Sequence, residues 1–505
     1  MKSSRLPLSA CAILLLAVAY CAVHGLVTAE WIQTPFPNEY REWANVEAAR
    51  AVLSGKLYGT EAGDGIYLYG FVYPLLCHCA GQMSDGEWLT VARVVTYTMT
   101  LLTALLGMLV VYRHSRSVVA ACLAFVLLLT TGWYNVTGVA HPATTGVFLL
   151  LLTLCLSSIR GGWCWCALTT VLCFYTKAYF VAVFFPVFHC LWLRARRQAW
   201  LYAAVCLLLG LLSVVAVRQV YPAFFAFHVV HHLHAASRSW LHLLTQLAVL
   251  SALFFPLGWM AVHRCCREGG LRRLDVYGWS ACLLFIIWLR LGMHTGASYT
   301  YAYQLWWPPL CVYALSVRPF PPGKWPYWPV WLTLAISLYG AGAYLNLPLH
   351  ASATADNRGQ LPDAFLRQYP PEAVACFSPA MAVYADGRGI PLYNNGQTQY
   401  VPTLYSDNAL LQCLLPELKD LKPRSCGFGR RVEQLVRSGR QTVVITDSFS
   451  YLPDSLMLSA GYQPARTFTL RIGRHRIVVT CWCSHRSDLS GSVSRQARAA
   501  TVGHP

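Results

Sequence analysis

Charged side chains are scarce in this sequence. Asp, Glu, Lys and Arg make up 12% of its 505 residues, against about 25% in a soluble protein. Hydrophobic residues reach 56% and the mean hydropathy is +0.43. This composition excludes a soluble enzyme, a coiled coil and a disordered regulator. Aromatic residues form 13% of the chain, which is typical of a protein whose side chains lie at membrane interfaces.

Acidic residues are scarcer than basic ones, 21 against 39, so the net charge is +18. The basic residues form no single patch. They stand singly or in short clusters between apolar runs, where a membrane protein keeps its cytoplasmic charges, and in the last 150 residues. The sequence therefore predicts membrane lipids as partners and no nucleic acid.

Eleven apolar stretches are candidate membrane spans, because a bilayer core requires about 20 apolar residues in a helix. The first is long for a signal peptide and is interpreted as an anchor. The fifth and sixth stretches are short, and they form either two spans or one re-entrant pair. The stretches cover about 7–28, 90–112, 117–133, 143–158, 163–175, 178–193, 199–217, 241–262, 275–290, 301–317 and 326–345.

The distribution of Lys and Arg predicts the orientation. With the N-terminus inside, the cytoplasmic connections hold fourteen of these residues, and the outer side up to residue 350 holds eight. This agrees with the positive-inside rule. An odd number of spans then places the C-terminal part outside. We predict a multi-pass protein of the inner (cytoplasmic) membrane with an extracytoplasmic C-terminal domain.

Carboxylates are almost absent from the spans but cluster in the first outer loop, residues 29–89. A solvated surface helix would explain this cluster, and so would a catalytic loop on the outer membrane face. Residues 1–350 contain ten Asp or Glu, and eight of them lie in this loop: Glu30, Glu39, Glu42, Glu47, Glu61, Asp64, Asp85 and Glu87.

Residues 38–57 of this loop predict a helix that ends at Gly55. Glu39 opens it, where the helix dipole favours an ionised carboxylate. Glu42 is three residues further on and shares its face. With Trp43 on the same side, the pattern indicates an amphipathic helix lying flat on the membrane interface.

Four stretches and their order along the chain resemble the GT-C-type integral membrane glycosyltransferases. This class includes mannosyl- and aminoarabinose-transferase-like families. The first is loop one with its aromatic return YLYGFVYPLL. The others are AHPATTGVFLLLL (140–152), YTKAYFVAVFFPVFHCLWLRARR (175–197) and LGMHTGASYTYAYQLWWPPL (291–310). The resemblance covers about residues 30–317. Ala143 stands where many members have an acidic residue, which weakens a second carboxylate role there.

The resemblance implies a hexosyl- or pentosyltransferase whose donor is a sugar on a polyprenyl phosphate or diphosphate. The acceptor is a lipid, a glycan or a protein. In this class a carboxylate of the first outer loop deprotonates the acceptor hydroxyl, since such a hydroxyl attacks best with a positioned base. Glu39 is the first choice for this base and Glu42 the second. The departing lipid phosphate requires fixed cations nearby.

Cations at predicted outer helix ends are candidate ligands of the donor phosphate. Lys177 stands between two apolar runs, where an intramembrane charge is often functional. The alternative for Lys177 is pairing with a loop-one carboxylate. The alternative for the arginines is snorkelling to headgroups. The predicted phosphate ligands are Lys177, Arg93, Arg238 and Arg290.

Histidines and tyrosines of two later outer loops complete the candidate site. His228, His231 and His232 share one helical face, a spacing that fits a divalent cation, although flanking Phe residues equally indicate an interfacial helix. Tyr299, Tyr303 and Gln304 suit sugar binding, although an aromatic belt has the same composition.

Composition changes after about residue 350. Residues 351–485 predict a small α/β domain, and residues 486–505 a disordered tail. Five cysteines of this part allow at most two disulfides. Strands are predicted at about 374–377, 381–385, 442–447, 465–472 and 476–482, and helices at about 408–421 and 428–438.

The fold class predicted is thus an α-helical polytopic membrane protein of about eleven spans, GT-C-like over residues 1–350, with a small C-terminal α/β extracytoplasmic domain. The competing functions are a membrane transporter or flippase and a noncatalytic scaffold. A transporter usually shows charges in the middle of its spans and internal repeats. This sequence shows neither.

Overall fold

The computed structural model is predominantly helical, with one small sheet near the C-terminus. It describes residues 8–39, 41–55, 57–58, 67–84, 87–131, 139–230, 239–293, 300–318, 331–332, 335, 357–394, 409–415, 432–448, 450, 452–472 and 475–485.

Thirteen helices of the described residues lie between Leu8 and Leu315, and two short helices, Asn357–Gln360 and Asp363–Leu366, follow them before the sheet. A 3-10 turn (Ala178–Val183) leads into the helix Phe184–Arg194, and a π-helical turn (Ala226–Val230) follows the helix Arg196–Val220. The helices are α1 Leu8–Gln33, α2 Glu42–Ala51, α3 Val72–Gln82, α4 Trp88–Ser115, α5 Val118–Thr131, α6 Ala143–Ser157, α7 Trp163–Phe174, α8 Phe184–Arg194, α9 Arg196–Val220, α10 Trp240–Glu268, α11 Val276–Gly292, α12 Thr300–Leu305 and α13 Trp307–Leu315.

The chain divides into two compact units. The first unit comprises Met1–Gln33, Ala48–Gly55 and Leu68–Pro348. The second unit comprises Thr34–Glu47, Lys56–Tyr67 and Leu349–Pro505. The acidic start of the first outer loop therefore belongs to the same unit as the C-terminal domain.

Helices of the first unit occupy the positions of the first ten predicted spans. The eleventh, 326–345, lies outside the described residues except for 331–332 and 335. Among the described residues four helices are long and apolar enough to cross a membrane: Leu15–Gln33, Trp88–Ser115, Arg196–Val220 and Trp240–Glu268. The protein is thus a helical, multi-pass membrane protein.

Small hydroxyl side chains join the helices of the first unit. The Thr153 hydroxyl on α6 donates to Thr169 on α7 at 2.8 Å, and Thr170 on α7 lies 2.8 Å from the Tyr202 hydroxyl on α9. Within a bilayer such bonds between helices stabilise packing, because lipid offers no competing partner. The four residues are buried.

Arg264 joins three helices through one buried guanidinium. Its Nη2 donates to Asp275, the residue before α11, at 2.9 Å, and its Nη1 donates to the Tyr313 carbonyl of α13 at 2.7 Å. Its Nε donates to Glu268 at 2.8 Å on its own helix, α10. Asp275 in turn accepts from the backbone N–H groups of Tyr277 and Gly278 and caps α11. The cluster fixes the ends of α10, α11 and α13 to one another.

The second unit contains a four-stranded sheet in the order β1-β2-β4-β3. The strands are β1 Val374–Cys376, β2 Val443–Asp447, β3 Tyr462–Ile472 and β4 His475–Ser484. β1 and β2 are parallel, and β4 is antiparallel to both β2 and β3. On the free side of β1, Leu392 forms a parallel bridge with Cys376. Apolar side chains pack on both faces of this sheet.

The predicted strand at 381–385 is wrong. These residues form a helix, Ala382–Gly387, preceded by a 3-10 turn at Pro379–Met381. Pro379 after Ser378 is a helix-start signal, since proline's fixed φ suits the first turn. The other four predicted strands are present. Helical residues lie within both predicted helices, at Ala409–Leu414 and at 432–437. Every cysteine in the described part of the chain is free.

We predict that Arg264→Met destabilises the protein by about 3 kcal/mol, the lower end of the range for breaking a buried ion pair, because Glu268 and Asp275 remain partly exposed. Thermal unfolding of the purified protein in detergent measures this. Arg267→Met is the matched control on the same helix, since Arg267 is exposed. Equal unfolding midpoints for the two variants would contradict the role assigned to Arg264.

Candidate active site

Lys177 is a buried cation of the first unit. It follows the end of α7 in an extended conformation (φ −151°, ψ 132°) and is 2% exposed. Its ammonium lies 4.4 Å from the ring centroid of Tyr69 and 5.7 Å from that of Tyr179. Both distances allow cation–π attraction, which strengthens when the site excludes water.

The backbone before Lys177 is held by the segment that returns from the first loop. Gly70 N–H donates to the Thr176 carbonyl at 3.1 Å, and Val72 N–H donates to the Tyr175 carbonyl at 3.2 Å. A Cβ on Gly70 would lie 1.8 Å from the Tyr175 carbonyl oxygen. Only glycine therefore permits this approach of the two backbones.

His228 fixes the same turn from another side. The ring is fully buried, and Nε2 lies 2.7 Å from the Phe174 carbonyl, so this nitrogen carries a proton and donates it. Burial lowers the pKa of His228 to about 4, and the charge of Lys177 adds to this effect. A neutral imidazole here supports the end of α7 without adding a second positive charge.

The predicted divalent-cation site receives no support from the described residues. Nε2 of His228 is engaged by a carbonyl, and no group of three His, Cys, Asp or Glu side chains there is arranged to hold a metal. His231 and His232 lie outside the described residues.

Gln304 lies next to the lysine cluster. Its side-chain oxygen accepts a hydrogen bond from the Tyr179 hydroxyl, and Tyr179 also packs edge-on against Tyr301 at 5.5 Å between ring centroids. Tyr303 points elsewhere. It packs against Phe254 and Trp307 in an aromatic cluster. The third predicted sugar-binding residue, Tyr299, lies outside the described residues.

His141 also borders this cluster. Its ring lies 6.0 Å from that of Tyr69, centroid to centroid. Its Nδ1 accepts from the Ala143 N–H at 3.1 Å, so the proton of the neutral ring is on Nε2. The cluster around Lys177 thus consists of Tyr69, Tyr179, Gln304 and His141. Sequence reasoning identified only Lys177 and Gln304, although Tyr69 and Tyr179 stand in the motifs that carry the family resemblance.

The predicted arginine ligands lie in different surroundings. Arg93 is fully buried on α4 and donates to the carbonyls of Trp31 and Ile32 at 3.2 and 3.3 Å. These carbonyls belong to the last turn of α1, where a cation is favoured by the helix dipole. Arg290 is exposed in the last turn of α11. Arg238 lies outside the described residues.

The helix of the first outer loop is shorter than predicted. α2 begins at Glu42 and ends at Ala51, so Glu39 precedes the helix instead of opening it. The reason is local. The Glu42 carboxylate reaches back and accepts from the backbone N–H groups of Asn38 and Glu39, both of which precede the helix. Since Glu42 is fully buried, a solvated surface does not explain its charge.

Helix α2 is also buried on most sides. Trp43, Val46 and Ala49 are all less than 5% exposed, and so are the polar residues Glu42 and Asn45. The predicted amphipathic helix lying flat on the membrane interface is therefore wrong. Asn45 is buried with them and accepts from the Tyr67 hydroxyl at 3.0 Å. Tertiary packing thus covers Glu42 and Asn45, while Glu47 is half-buried and Arg50 is exposed.

Glu39 is the more accessible of the two carboxylates, with a side chain 22% exposed. Its Oε1 accepts from Arg41 Nε at 2.7 Å, and its Oε2 accepts from the Arg41 backbone N–H at 2.8 Å. A carboxylate oxygen accepts more than one hydrogen bond. Glu39 is therefore oriented by Arg41 and still open to an incoming hydroxyl.

We predict that Gly70→Ala breaks the backbone pairing before Lys177, because the added Cβ meets a carbonyl oxygen. The cost is about 1–3 kcal/mol, as for other overpacked sites. Thermal unfolding and limited proteolysis after residue 177 report on it. Gly210→Ala is the control, since nothing lies within 4 Å of its Cβ position. Equal stability of the Gly70→Ala and Gly210→Ala variants would contradict the prediction.

No protein-family model and no curated protein sequence matches the chain. Solved structures do. ArnT from Cupriavidus metallidurans in the apo state has a TM-score of 0.58 at 14% identity, over 92% of this chain and 97% of that one. The same protein bound to undecaprenyl phosphate has a TM-score of 0.53 over equal shares. The Archaeoglobus fulgidus oligosaccharyltransferase tethered to an acceptor peptide has a TM-score of 0.44 at 12% identity, over 93% of this chain and 74% of that one. The chain has the fold of the GT-C-type membrane glycosyltransferases.

Proposed function

We propose that the protein is a membrane glycosyltransferase. It moves a sugar from a polyprenyl phosphate or diphosphate to a lipid, glycan or protein acceptor on the outer membrane face. The observation that carries the proposal is the buried ammonium of Lys177 between two tyrosine rings, in a chain that has the GT-C fold. A solved structure of the same fold has undecaprenyl phosphate bound, which supports this donor class.

Lys177 binds the donor phosphate in this proposal. A charged group among apolar helices is expensive and is a functional candidate for that reason. A phosphate oxygen is its chemical complement, and the charge that develops on the departing lipid phosphate strengthens the attraction in the transition state. Tyr69 and Tyr179 hold the ammonium in place through their ring faces. Arg93, Arg238 and Arg290 remain further candidates.

Gln304 and its neighbours bind the sugar hydroxyls. The Gln304 amide retains its two N–H donors while its oxygen accepts from Tyr179. The His141 ring borders the same cluster beside Tyr69. Tyr299 and Tyr303 were predicted from the sequence for the same task, and the aromatic packing of Tyr303 favours a supporting role for it.

Glu39 acts as the general base. It removes the proton of the acceptor hydroxyl while the oxygen forms a bond to the anomeric carbon. The bond from that carbon to the phosphate oxygen breaks, and the lipid phosphate leaves with the electron pair. Glu39 suits this step because it is partly exposed and oriented by Arg41. Glu42 holds the Glu39 backbone N–H and so positions the base.

The positive-inside distribution supports an outer location for this chemistry. The proposal places Glu39, Lys177 and the C-terminal domain on the extracytoplasmic side of the inner membrane.

We predict that Lys177→Met raises the donor KM by roughly 10- to 100-fold, the loss expected for one hydrogen bond between charged groups. Membranes carrying the variant are incubated with a radiolabelled polyprenyl-phosphate sugar, and label in the acceptor fraction is counted. Arg197→Met, which removes an exposed cation at the start of α9, serves as the control. An unchanged donor KM in the Lys177→Met variant would return Lys177 to a structural role.

We predict that Glu39→Gln lowers kcat by about 10²–10⁴-fold, the usual loss for a general base, and leaves donor binding unchanged. Glu42→Gln lowers transfer less, because the amide oxygen still accepts from the two backbone N–H groups. Glu30→Gln is the control, since Glu30 is an exposed residue of α1. If Glu42→Gln loses activity and Glu39→Gln keeps it, the base is Glu42. If all three variants are equally active, the acidic loop takes no part in catalysis.

A further inference from the structure

Exposed arginines gather at one end of the helix bundle of the first unit. This end carries the connections α4–α5, α6–α7 and α8–α9, which the charge distribution predicts to face the cytoplasm. The arginines lie at the ends of α4, α6 and α8 and after α13, and together they are called the arginine patch: Arg113, Arg116, Arg160, Arg194 and Arg318.

Arg318 ties the segment after α13 to the end of α4. Its guanidinium donates to the backbone carbonyl of Arg113 at 2.7 Å and also to that of His114. Both carbonyls belong to the last turn of α4, where the helix leaves them unpaired. A guanidinium carries five N–H donors, so Arg318 is held in place and still has donors for a ligand.

The end of α6 continues the same surface. Arg194, the last residue of α8, donates to the Ser157 carbonyl at 3.4 Å, so the ends of α6 and α8 lie side by side. Tyr277 of α11 links them to α4. Its ring lies 6.2 Å from that of His114, centroid to centroid, and its hydroxyl lies beside Ser158. Packing thus brings arginines from four separate segments to one patch.

The described residues do not neutralise the charge of this patch. In this part of the chain none of the five arginines forms an ion pair with a carboxylate. The acidic residues described at the same end, Glu268 and Asp275, both pair with Arg264. A concentration of charge of one sign attracts anions.

Arg116 also has a strained backbone. With φ 56° and ψ 23° it ends α4 in the left-handed region, and among the described residues it is the one non-glycine with a positive φ. Glycine is usual at this position, because a Cβ is strained there. Local structure therefore does not explain the arginine, which favours a role for its charge.

Large apolar side chains adjoin the arginines on the surface. Each stands one or two residues from an arginine of the patch, and each is between 44% and 59% exposed: Tyr112, Val118, Ile159 and Leu193. A soluble anion would contact the charges alone. A phospholipid carries a phosphate next to apolar chains and so matches both parts of this surface.

We infer that the arginine patch binds an anionic phospholipid of the leaflet at this end of the bundle. The lipid phosphate accepts hydrogen bonds from the guanidinium groups, whose planar donors fit phosphate oxygens. The acyl chains lie along the exposed apolar side chains. This site is separate from the proposed donor site, because the patch adjoins the start of α7 and Lys177 follows its other end.

The affinity of the full-length protein for single lipids tests this inference. Native mass spectrometry of the protein in a zwitterionic detergent resolves complexes with one lipid and gives their Kd. Dioleoyl phosphatidylglycerol and dioleoyl phosphatidylcholine are the probes. We expect tighter binding of phosphatidylglycerol. Arg116→Gly should raise its Kd by roughly fivefold, the fold-change that about 1 kcal/mol per basic residue at a membrane surface represents, and leave the phosphatidylcholine Kd unchanged.

Arg272→Gln is the matched control. Arg272 is an exposed arginine of the α10–α11 connection, so the variant loses one charge at the same end of the bundle but outside the patch. Its Kd for phosphatidylglycerol should equal that of the wild type. Arg116→Gly also removes the backbone strain, so its unfolding midpoint should not fall. If it does fall, Arg160→Gln replaces this variant with the same expected loss of affinity.

Four results would overturn the inference. The first is equal affinity of the wild type for the two lipids. The second is a loss in Arg272→Gln equal to that in Arg116→Gly or Arg160→Gln, which would indicate diffuse surface charge. The third is displacement of phosphatidylglycerol by sodium phosphate beyond the effect of sodium chloride at equal ionic strength, which would assign the patch to a soluble anion.

The fourth result concerns Lys177→Met. This variant should keep the preference for phosphatidylglycerol, and loss of the preference would place the lipid at the donor site instead. Lipid selectivity and glycosyl transfer are thus measured separately. Absence of transfer in the wild type would refute the proposed function and leave the arginine patch unaffected.

Discussion

A charge buried in an apolar helix bundle needs partners within the protein, because lipid offers neither counter-ions nor hydrogen bonds. Among the described residues of the first unit, three buried cations have three different kinds of partner. Arg264 is matched by two carboxylates and a carbonyl, and Arg93 by the last carbonyls of α1. The Lys177 ammonium lies against aromatic faces. The first two fix helix ends. The third lies beside two ring faces, which attract a cation.

Precise placement of that ammonium depends on the backbone more than on neighbouring side chains. The turn before Lys177 bonds to the segment around Gly70 and to His228. Glycine permits the backbones to approach, and a neutral histidine supports the turn without electrostatic repulsion. Positioning of this kind is what electrostatic catalysis requires, since donors that are already oriented need no reorganisation during the reaction.

The second unit uses carboxylates in two ways. Glu42 is buried and accepts from backbone N–H groups, whereas Glu39 is held by Arg41 at the surface. In the sheet, Asp447 is likewise anchored by two serines at the edge where three parallel segments end. For Glu39 and Asp447 a local framework orients a carboxylate that remains accessible. At Glu39 such a framework suits proton transfer.

Composition and hydropathy sufficed to predict a polytopic helical protein, the approximate place of its helices, and a C-terminal α/β domain, because each of these depends on local patterns with a known period or length. Lys177 and Glu39 could be selected from the sequence because charged residues are rare in or beside its apolar runs. Burial of Glu42 and Asn45 on α2 was not predictable, since tertiary packing and no local pattern covers them. The sequence also did not predict the cluster of Tyr69, Tyr179, His141 and Gln304. It did not predict that Ser378, Asn394 and Asp447 lie at one sheet edge. The sequence determined which residues are costly to bury. Only the tertiary structure decided which of them meet, because their contacts join segments separated by as many as 125 residues.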